Sequence, residues 1–153
     1  MAMTTGGDSF RKADVDISAD GVAWTVVSDH GAAVAVSDAV RSVGEQHVFS
    51  GDVPIIRPGK RAKLEVTVRF VYTETAAEPF EVVRAIFETE GGEAWVRWFP
   101  LDNTDGNYVF ETGQGIMTKF TYPQGEADGE DVILCECTVT CSQVTKDAAV
   151  GGS

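Results

Sequence analysis

The strongest structural signal in the chain lies in residues 47–73, HVFSGDVPIIRPGKRAKLEVTVRFVYT. The second half of this stretch alternates without a break, and its apolar set is Leu64, Val66, Val68, Phe70 and Tyr72. A period of two puts these side chains on one face of an extended chain. The pattern therefore predicts a long, half-buried strand from Lys63 to Thr73.

The first half of the same stretch is apolar but suits neither a helix nor a central strand. Gly51, Pro54, Pro58 and Gly59 interrupt it, and proline lacks the backbone donor that both structures require. An apolar segment of this kind needs another surface to cover it. We predict a long protruding loop over residues 37–61 that contacts another subunit, with these contact candidates: Val48, Phe49, Val53, Pro54, Ile55 and Ile56. The alternative is that the loop folds back on its own sheet.

Length and charge limit the classes of protein that fit. With 153 residues and 43% hydrophobic content, the chain can form one domain with its own core. It has 24 acidic and 12 basic residues, a formal net charge of −12. This excess would repel a duplex phosphate backbone, so we predict no nucleic-acid binding by charge. Acidity alone also serves solubility.

The sequence predicts neither a membrane span nor a signal peptide. No run approaches the roughly 18 to 20 apolar residues that a span needs. Residues 1–12 lack the charged start and apolar middle of a signal peptide. We expect a protein that is made and used in a cytoplasm, or released from it by lysis.

One helix is predicted, over residues 79–90. Pro79 suits a first helical position, and Phe80, Val83 and Ile86 recur at helical spacing. Gly91 follows as a stop signal. The stripe indicates a helix packed on one face of a sheet.

Strand and turn signals fill the rest of the chain. Asp20 and Gly21 form a hairpin turn between two alternating segments. Further strands are predicted over residues 32–36, 94–99, 108–111, 116–122 and 132–142. About eight strands with frequent turns indicate a mainly β fold, an antiparallel sandwich or barrel with one flanking α-helix.

The domain is predicted over residues 14–142, between two flexible ends. Residues 1–13 are small and polar and read as a flexible N-terminal arm, in which Phe10 is the single large apolar group and a further contact candidate. Residues 143–153 read as a flexible C-terminal tail. Residues 37–46 show no clear period and are predicted to be loop.

Three cysteines stand at even spacing in the last predicted strand. Cys135, Cys137 and Cys141 therefore point to one face. Neighbours on one face of one strand do not bridge each other. We predict reduced thiols that act as small buried hydrophobes.

Residue types for catalysis are present, but not in the patterns that catalysis needs. A zinc site would need further ligands, and the two histidines, His30 and His47, fall in a turn and beside the long loop. Neither lies near a nucleophile motif. The acidic group Glu126, Asp128, Glu130 and Asp131 reads as a solvated turn. We predict no catalytic residue, no cofactor and no metal, and therefore a protein that is not an enzyme.

The ordered set of segments resembles the tail tube, or major tail, proteins of long-tailed bacteriophages. Four stretches carry the likeness: residues 16–28, DISADGVAWTVVS; residues 45–74, around the long loop and strand; residues 79–100, PFEVVRAIFETEGGEAWVRWFP; and residues 113–139. Together they span most of the chain. Three cysteines in the last strand depart from what the family leads us to expect.

The resemblance implies a subunit that assembles into hexameric rings, which stack into a hollow tube in the virion tail. In that family a long loop and the terminal arms reach into the next ring, and the counterpart here is residues 37–61. Implied partners are other copies of the chain, the tape measure, tail tip and tail terminator proteins, and genomic DNA that passes through the lumen without specific binding. Assembly is expected in the bacterial cytoplasm, without a membrane partner.

Two other hypotheses stay open at this point. One is a small-ligand-binding β-barrel, with Trp95 and Trp98 at its mouth. The other is a virion component of related fold, such as a tail-completion ring or a decoration domain.

Overall fold

A computed structural model describes residues 13–27, 31–49, 51–74, 78–100, 108–125, 127, 129 and 132–148. Eleven strands and one helix lie in this part of the chain. The elements are β1 (Asp14–Ser18), β2 (Thr25–Val26), β3 (Gly31–Val36), β4 (Arg41–Gln46), β5 (Ile55–Arg61), β6 (Leu64–Val71), α1 (Pro79–Glu88), β7 (Glu93–Phe99), β8 (Tyr108–Glu111), β9 (Gly115–Thr121), β10 (Leu134–Cys141) and β11 (Thr145–Ala148).

Strand β7 joins two antiparallel layers into a sandwich. Its first two residues, Glu93 and Ala94, pair with β9, whereas its later residues pair with β1 and β8. The strand order runs β11-β8-β7-β9-β10-β6-β3, with β1 beside β7 and β2 beside β1. Within the described residues this order has two ends, so the sandwich is formed and the barrel is not. The predicted mainly β, antiparallel fold with one flanking helix is confirmed.

The core lies where β6, β10 and α1 meet. Val66, Val68 and Phe70 of β6 are almost fully buried, because alternate residues of one strand point to the same face. The apolar stripe of α1 covers this side of the sheet, and Phe80 packs on Tyr72 and Phe120 with ring centroids 4.7 and 5.7 Å apart. Periodicity in the sequence and burial in the structure therefore agree.

The helix begins and ends near the predicted residues. Pro79 occupies the first turn, and the helix ends at Glu88 instead of residue 90. The Thr89 hydroxyl and amide donate to the Ala85 carbonyl at 2.7 and 3.1 Å. Gly91 then takes a φ of +91°, which glycine adopts without strain.

The predicted hairpin forms, but its turn is not the tight Asp-Gly turn that the sequence predicts, because Ile17 pairs with Thr25 and residues 18–24 form the connection. The Asp20 carboxylate accepts hydrogen bonds from the amides of Val22 and Ala23 at 2.8 and 2.9 Å. These bonds lower the pKa of Asp20. They also curl the chain, so β2 contains only Thr25 and Val26.

Two segments that the sequence predicts to be irregular form strands in the structure. Residues 41–46, predicted to be loop, form β4, which pairs with β5. Residues 145–148, predicted to be part of a flexible tail, form β11, which pairs with β8 along its whole length. Both segments are short of buried apolar side chains, so burial imposes no alternation on their sequence. His30, Phe10 and the acidic residues Glu126, Asp128, Glu130 and Asp131 lie outside the described residues.

Candidate assembly surface

The predicted long loop, residues 37–61, is a two-stranded hairpin that projects from the sandwich and is called the arm below. Its strands β4 and β5 pair only with each other in the described part of the chain. Strands of six and seven residues at about 3.3 Å per residue make it roughly 20 Å long. The arm is therefore a structured element and not an irregular loop.

The arm continues the pairing of the central strands. Val36 pairs with Val66 at the end of the β3/β6 ladder, and Arg41 pairs with Arg61 at the start of the β4/β5 ladder. Arg41 lies five residues after Val36, and its partner Arg61 lies five residues before Val66. The pairing register is therefore the same on both sides of the unpaired segment between the two ladders. Ser37 donates its amide to the Glu65 carbonyl at 2.9 Å, and Ala62 donates to the Val40 carbonyl at 2.8 Å. These bonds hold the arm in line with β3 and β6.

Both faces of the arm are exposed and partly apolar. Facing residues of antiparallel strands share one side, and Ile56 faces Glu45 while Pro58 faces Val43. Val43, Ile56 and Pro58 thus lie on one side together with Glu45, and these three apolar residues are called the apolar stripe. Val43 is 63% exposed and Ile56 is 61% exposed. Nothing within the described residues covers this stripe.

The structure brings the sequence-predicted contact residues together at the outer half of the arm. Ile55 and Ile56 open β5, and the segment between the strands carries Val48, Phe49, Val53 and Pro54. Phe49 and Val53 are the most exposed, at 115% and 76%. Phe10, the remaining candidate, is outside the described residues. The arm does not fold back on its own sheet.

Val40 and Val43 are exposed apolar residues of the arm that the sequence reasoning missed. Both lie in the segment that was predicted to be loop, and they are 55% and 63% exposed. Val43 could have been found from its partner strand. A hairpin through residues 47–54 sets Val43 opposite Pro58, beside Ile56, once β5 is taken as a strand.

A close backbone approach fixes the middle of the arm. A methyl group placed on Gly59 would overlap the Ser42 hydroxyl oxygen and lie 2.7 Å from the Ser42 carbonyl oxygen. Arg41 donates from Nη1 to the Gly59 carbonyl at 3.2 Å. Only glycine fits here, because any side chain would push the two strands apart.

A cavity of about 470 Å³ lies at the root of the arm. Its walls come from the arm root, from β6 and from the open end of the sandwich, and include Val40, Leu64, Trp98, Phe110 and Val144. Trp98 stacks on Phe110 with ring centroids 5.8 Å apart. Trp95, predicted to share a pocket mouth with Trp98, is not among the lining residues. It lies instead under Gly21, where an added methyl group would approach its ring to 3.2 Å.

The three cysteines are free and buried on the inner face of β10. Burial raises the pKa of the Cys137 thiol to about 12. Burial also raises the pKa values of Cys135 and Cys141. A thiol with a raised pKa is a poor nucleophile at neutral pH. Because all three cysteines are buried, this face of β10 is core, as the sequence predicts.

A buried ion pair lies on the other layer. Arg97 donates from Nε to Asp16 Oδ2 at 2.8 Å, and its guanidinium group lies 4.3 Å from the Trp24 ring centre. Burial raises the pKa of Asp16, while the hydrogen bond from Arg97 opposes this effect. This geometry locks β1 to β7 and indicates a structural role.

The described residues contain no group of three metal-ligating side chains. None of the helical structure in the described part of the chain is long and apolar enough to cross a membrane.

Comparison with known proteins gives a consistent result at the level of structure. No protein-family model matches the chain, and no curated protein matches it by sequence. A chain from the sheath-tube complex of an extracellular contractile injection system (PVC) in the extended state matches with a TM-score of 0.71 and 15% identity, over 95% of this chain and 94% of that chain.

Two further solved structures extend the likeness to other particles. A chain of the tube terminating cap of the anti-feeding prophage matches with a TM-score of 0.70 and 14% identity, over 97% of this chain and 95% of that one. A chain of the native gene transfer agent particle matches with a TM-score of 0.63 and 12% identity, over 93% of this chain and all of that one. The chain has the tail-tube fold. The likeness covers nearly the full length of both chains in each comparison.

The sequence-based resemblance to tail tube proteins therefore agrees with structural comparison, and the three chains described above come from structural assemblies of injection systems and phage-like particles. At identities of 12 to 15%, these comparisons establish a shared fold.

Proposed function

We propose that this chain is a structural virion protein that polymerises as stacked hexameric rings into the hollow tail tube through which DNA is delivered. It acts through contacts between copies and not through catalysis. Its other partners are the tape measure, tail tip and tail terminator proteins. Assembly takes place in the bacterial cytoplasm, and the mature location is the virion tail.

The exposed arm is the observation that carries this proposal. An isolated two-stranded hairpin is only marginally stable in water. This one exposes Phe49, Val53 and Ile56 by more than half, and such apolar patches on soluble proteins mark association sites. The arm is therefore built to be covered by another molecule. The tail-tube fold supports a second copy of the chain as that molecule.

The acidic surface suits a conduit for DNA. With 24 acidic against 12 basic residues, a tube of these subunits presents an excess of negative charge. Phosphates would meet like charge and find few sites to bind, so DNA could slide.

Assembly tests the proposal directly. Negative-stain electron microscopy of the purified chain over a concentration series, with analytical ultracentrifugation, should show stacked hollow rings above a critical concentration. Val43→Asp should raise that concentration at least tenfold, because it puts a charge on the apolar stripe of the arm. Val22→Asp is the matched control, since Val22 is 83% exposed and lies in the turn before β2.

Three results would count against the tube. A chain that stays monomeric at high concentration, even with a tail-tip initiator present, excludes self-assembly. Rings that never stack indicate a tail-completion ring, and binding to capsids indicates a decoration domain. Loss of the folded state in Val43→Asp, seen by circular dichroism, would mean that the arm belongs to the core.

The cavity at the arm root favours one second candidate, a site for a small apolar ligand. Its volume of about 470 Å³ falls within the usual range for small-molecule sites, about 300 to 1,000 Å³. A hydrophobic ligand there should change the fluorescence of Trp98, and Trp98→Phe should remove the change. A panel of such ligands without any effect excludes this candidate.

A further inference from the structure

The end of the sandwich opposite the arm carries a second exposed apolar group. It consists of Tyr122, Val132, Ile133 and Leu134, here called the acceptor patch, and these residues are 51%, 65%, 42% and 41% exposed. The Ile133 carbonyl accepts a hydrogen bond from the Tyr72 amide at 2.9 Å, just beyond β6. The patch is therefore held to the sheet and is not a loose loop.

Strand pairing shows that the arm and the acceptor patch lie at opposite ends of one subunit. Cys141 pairs with Leu64, where β6 leaves the arm, and Leu134 pairs with Val71 at the far end of the same ladder. Eight paired residues at about 3.3 Å each separate the two ends by roughly 25 Å. The arm also points away from the sandwich, so it cannot reach the acceptor patch of its own subunit.

The two ends carry opposite charge. The arm, residues 37–61, contains four of the chain's 12 basic residues against three acidic ones, and Lys63 adds a fifth basic residue just beyond it. Among the described residues, the acceptor side carries Glu74, Glu78 and Glu81 near Tyr72, and Arg84 pairs with Glu81 at 3.1 Å. Among them, the Glu74 carboxylate accepts a hydrogen bond from the Tyr72 hydroxyl at 3.1 Å. An arm that is both basic and apolar thus complements a surface that is both acidic and apolar.

We propose that the acceptor patch is the docking site for the arm of a second copy of this chain. This inference rests on the proposed function and names the receiving surface that stacking requires. Because donor and acceptor are different surfaces of one subunit, each contact leaves one of each free. Such a head-to-tail contact does not close on itself along this axis and generates an open filament.

Engineered cysteines test the contact in assembled protein. The double variant Ile56→Cys, Ile133→Cys should form a ladder of covalent multimers on a non-reducing gel after mild oxidation. Ile56→Cys, Ile116→Cys is the matched control, because Ile116 is also an exposed isoleucine, 54% exposed, but pairs with Thr140 near the arm end of β10. The control should give at least tenfold less multimer. The native thiols are buried, so they should not contribute.

A second measurement uses substitutions without oxidation. Ile133→Asp should raise the critical concentration for tubes at least tenfold, and Ile116→Asp should change it less than threefold. Circular dichroism spectra equal to that of the parent chain show that each variant is folded.

The outcomes separate this inference from the proposed function. Tubes that cross-link through Ile116→Cys and not through Ile133→Cys, or that tolerate Ile133→Asp, overturn the acceptor patch and leave the tube intact. If the parent chain forms no tubes under any condition, the proposed function and this inference both fail.

Discussion

The three cysteines of β10 identify which face of this strand lies in the core. Cys135, Cys137 and Cys141 alternate with polar residues along β10, and their side chains meet the inner face of the sandwich. The three cysteines, which the resemblance to tail tube proteins does not lead us to expect, therefore serve core packing.

The thiols of the folded chain should be almost inert. With the pKa of Cys137 raised to about 12, its reactive thiolate is scarce below that pH. At pH 8 a thiol reagent such as Ellman's reagent should react at least a hundredfold more slowly with the native chain than with the chain in guanidinium chloride. Unfolding should release three thiols. Rapid reaction of one thiol in the native chain would place that cysteine at the surface.

Substitution of Gly115 should destabilise the sandwich, because the space around this residue is filled. A methyl group there would lie 2.7 Å from Val139 Cγ1 and 2.9 Å from the Thr140 carbonyl oxygen. Overpacking of this kind destabilises by about 1 to 3 kcal/mol. Gly115→Ala should lower the free energy of unfolding by that amount in urea denaturation. Gly125→Ala, at a site with open space around the added methyl group, is the control and should change it little.

At the scale of elements, the strands that could be predicted from the sequence are those with one buried face, because burial makes their apolar residues alternate. Strands β6 and β10 keep one face in the core, so their apolar residues alternate and can be recognised without a structure. The helix α1 could be predicted because its buried face gives an apolar stripe at helical spacing and because glycine follows its end. Their bounds differ from the predicted ones by a few residues, because strands and helices end where pairing and capping end.

The elements that the sequence missed have no buried face. Strand β4, RSVGEQ, is exposed along its whole length, and β11, TKDA, is a short, polar edge strand. Their structure depends on a partner strand far along the chain, which a local pattern does not show. The same reason hid Val43, although the exposed apolar residues around Phe49 and Ile56 were predicted correctly as lying outside the core. Their role as contacts stays a prediction.

The arm should depend on Gly59. Gly59→Val forces β4 and β5 apart at Ser42, so it should abolish stacking while the sandwich keeps its thermal midpoint within a few degrees. Stacking is read by sedimentation and the midpoint by circular dichroism. Gly91→Val is unsuitable as a control because Gly91 has a positive φ, whereas Gly125→Val has open space and should leave both measurements unchanged. A Gly59→Val chain that still stacks would show that the hairpin is dispensable.

At the scale of the whole molecule, charge is distributed unevenly from end to end. Residues 37–63 are basic on balance within a chain of net charge −12. In the proposed stack, subunits of this charge would repel one another at long range, and the arm would offer the acidic end of the next copy a local attraction. Orientation in a stack can therefore be selected by charge before apolar contacts form.

A pair of neutralising substitutions isolates that effect. Arg57→Gln and Lys119→Gln change the net charge equally, but Arg57 lies on the arm whereas Lys119 lies on β9 beside Glu136, 3.4 Å away. Arg57→Gln should raise the critical concentration several-fold at low salt, and Lys119→Gln should not. The difference should shrink near 1 M salt, where the screening length falls to about 3 Å. Equal effects of the two substitutions would mean that net charge alone matters.

The unchanged register between the arm and the central strands has a mechanical consequence. Backbone hydrogen bonds in an antiparallel sheet lie across the strand direction. A pull on the tip of the arm, along its length, is passed to both β3 and β6, so it loads the bonds between β6 and β10 together in shear instead of opening them one after another. The resistance of β6 to this pull is set by all eight residue pairs between β6 and β10 acting together, and not by the weakest hydrogen bond among them.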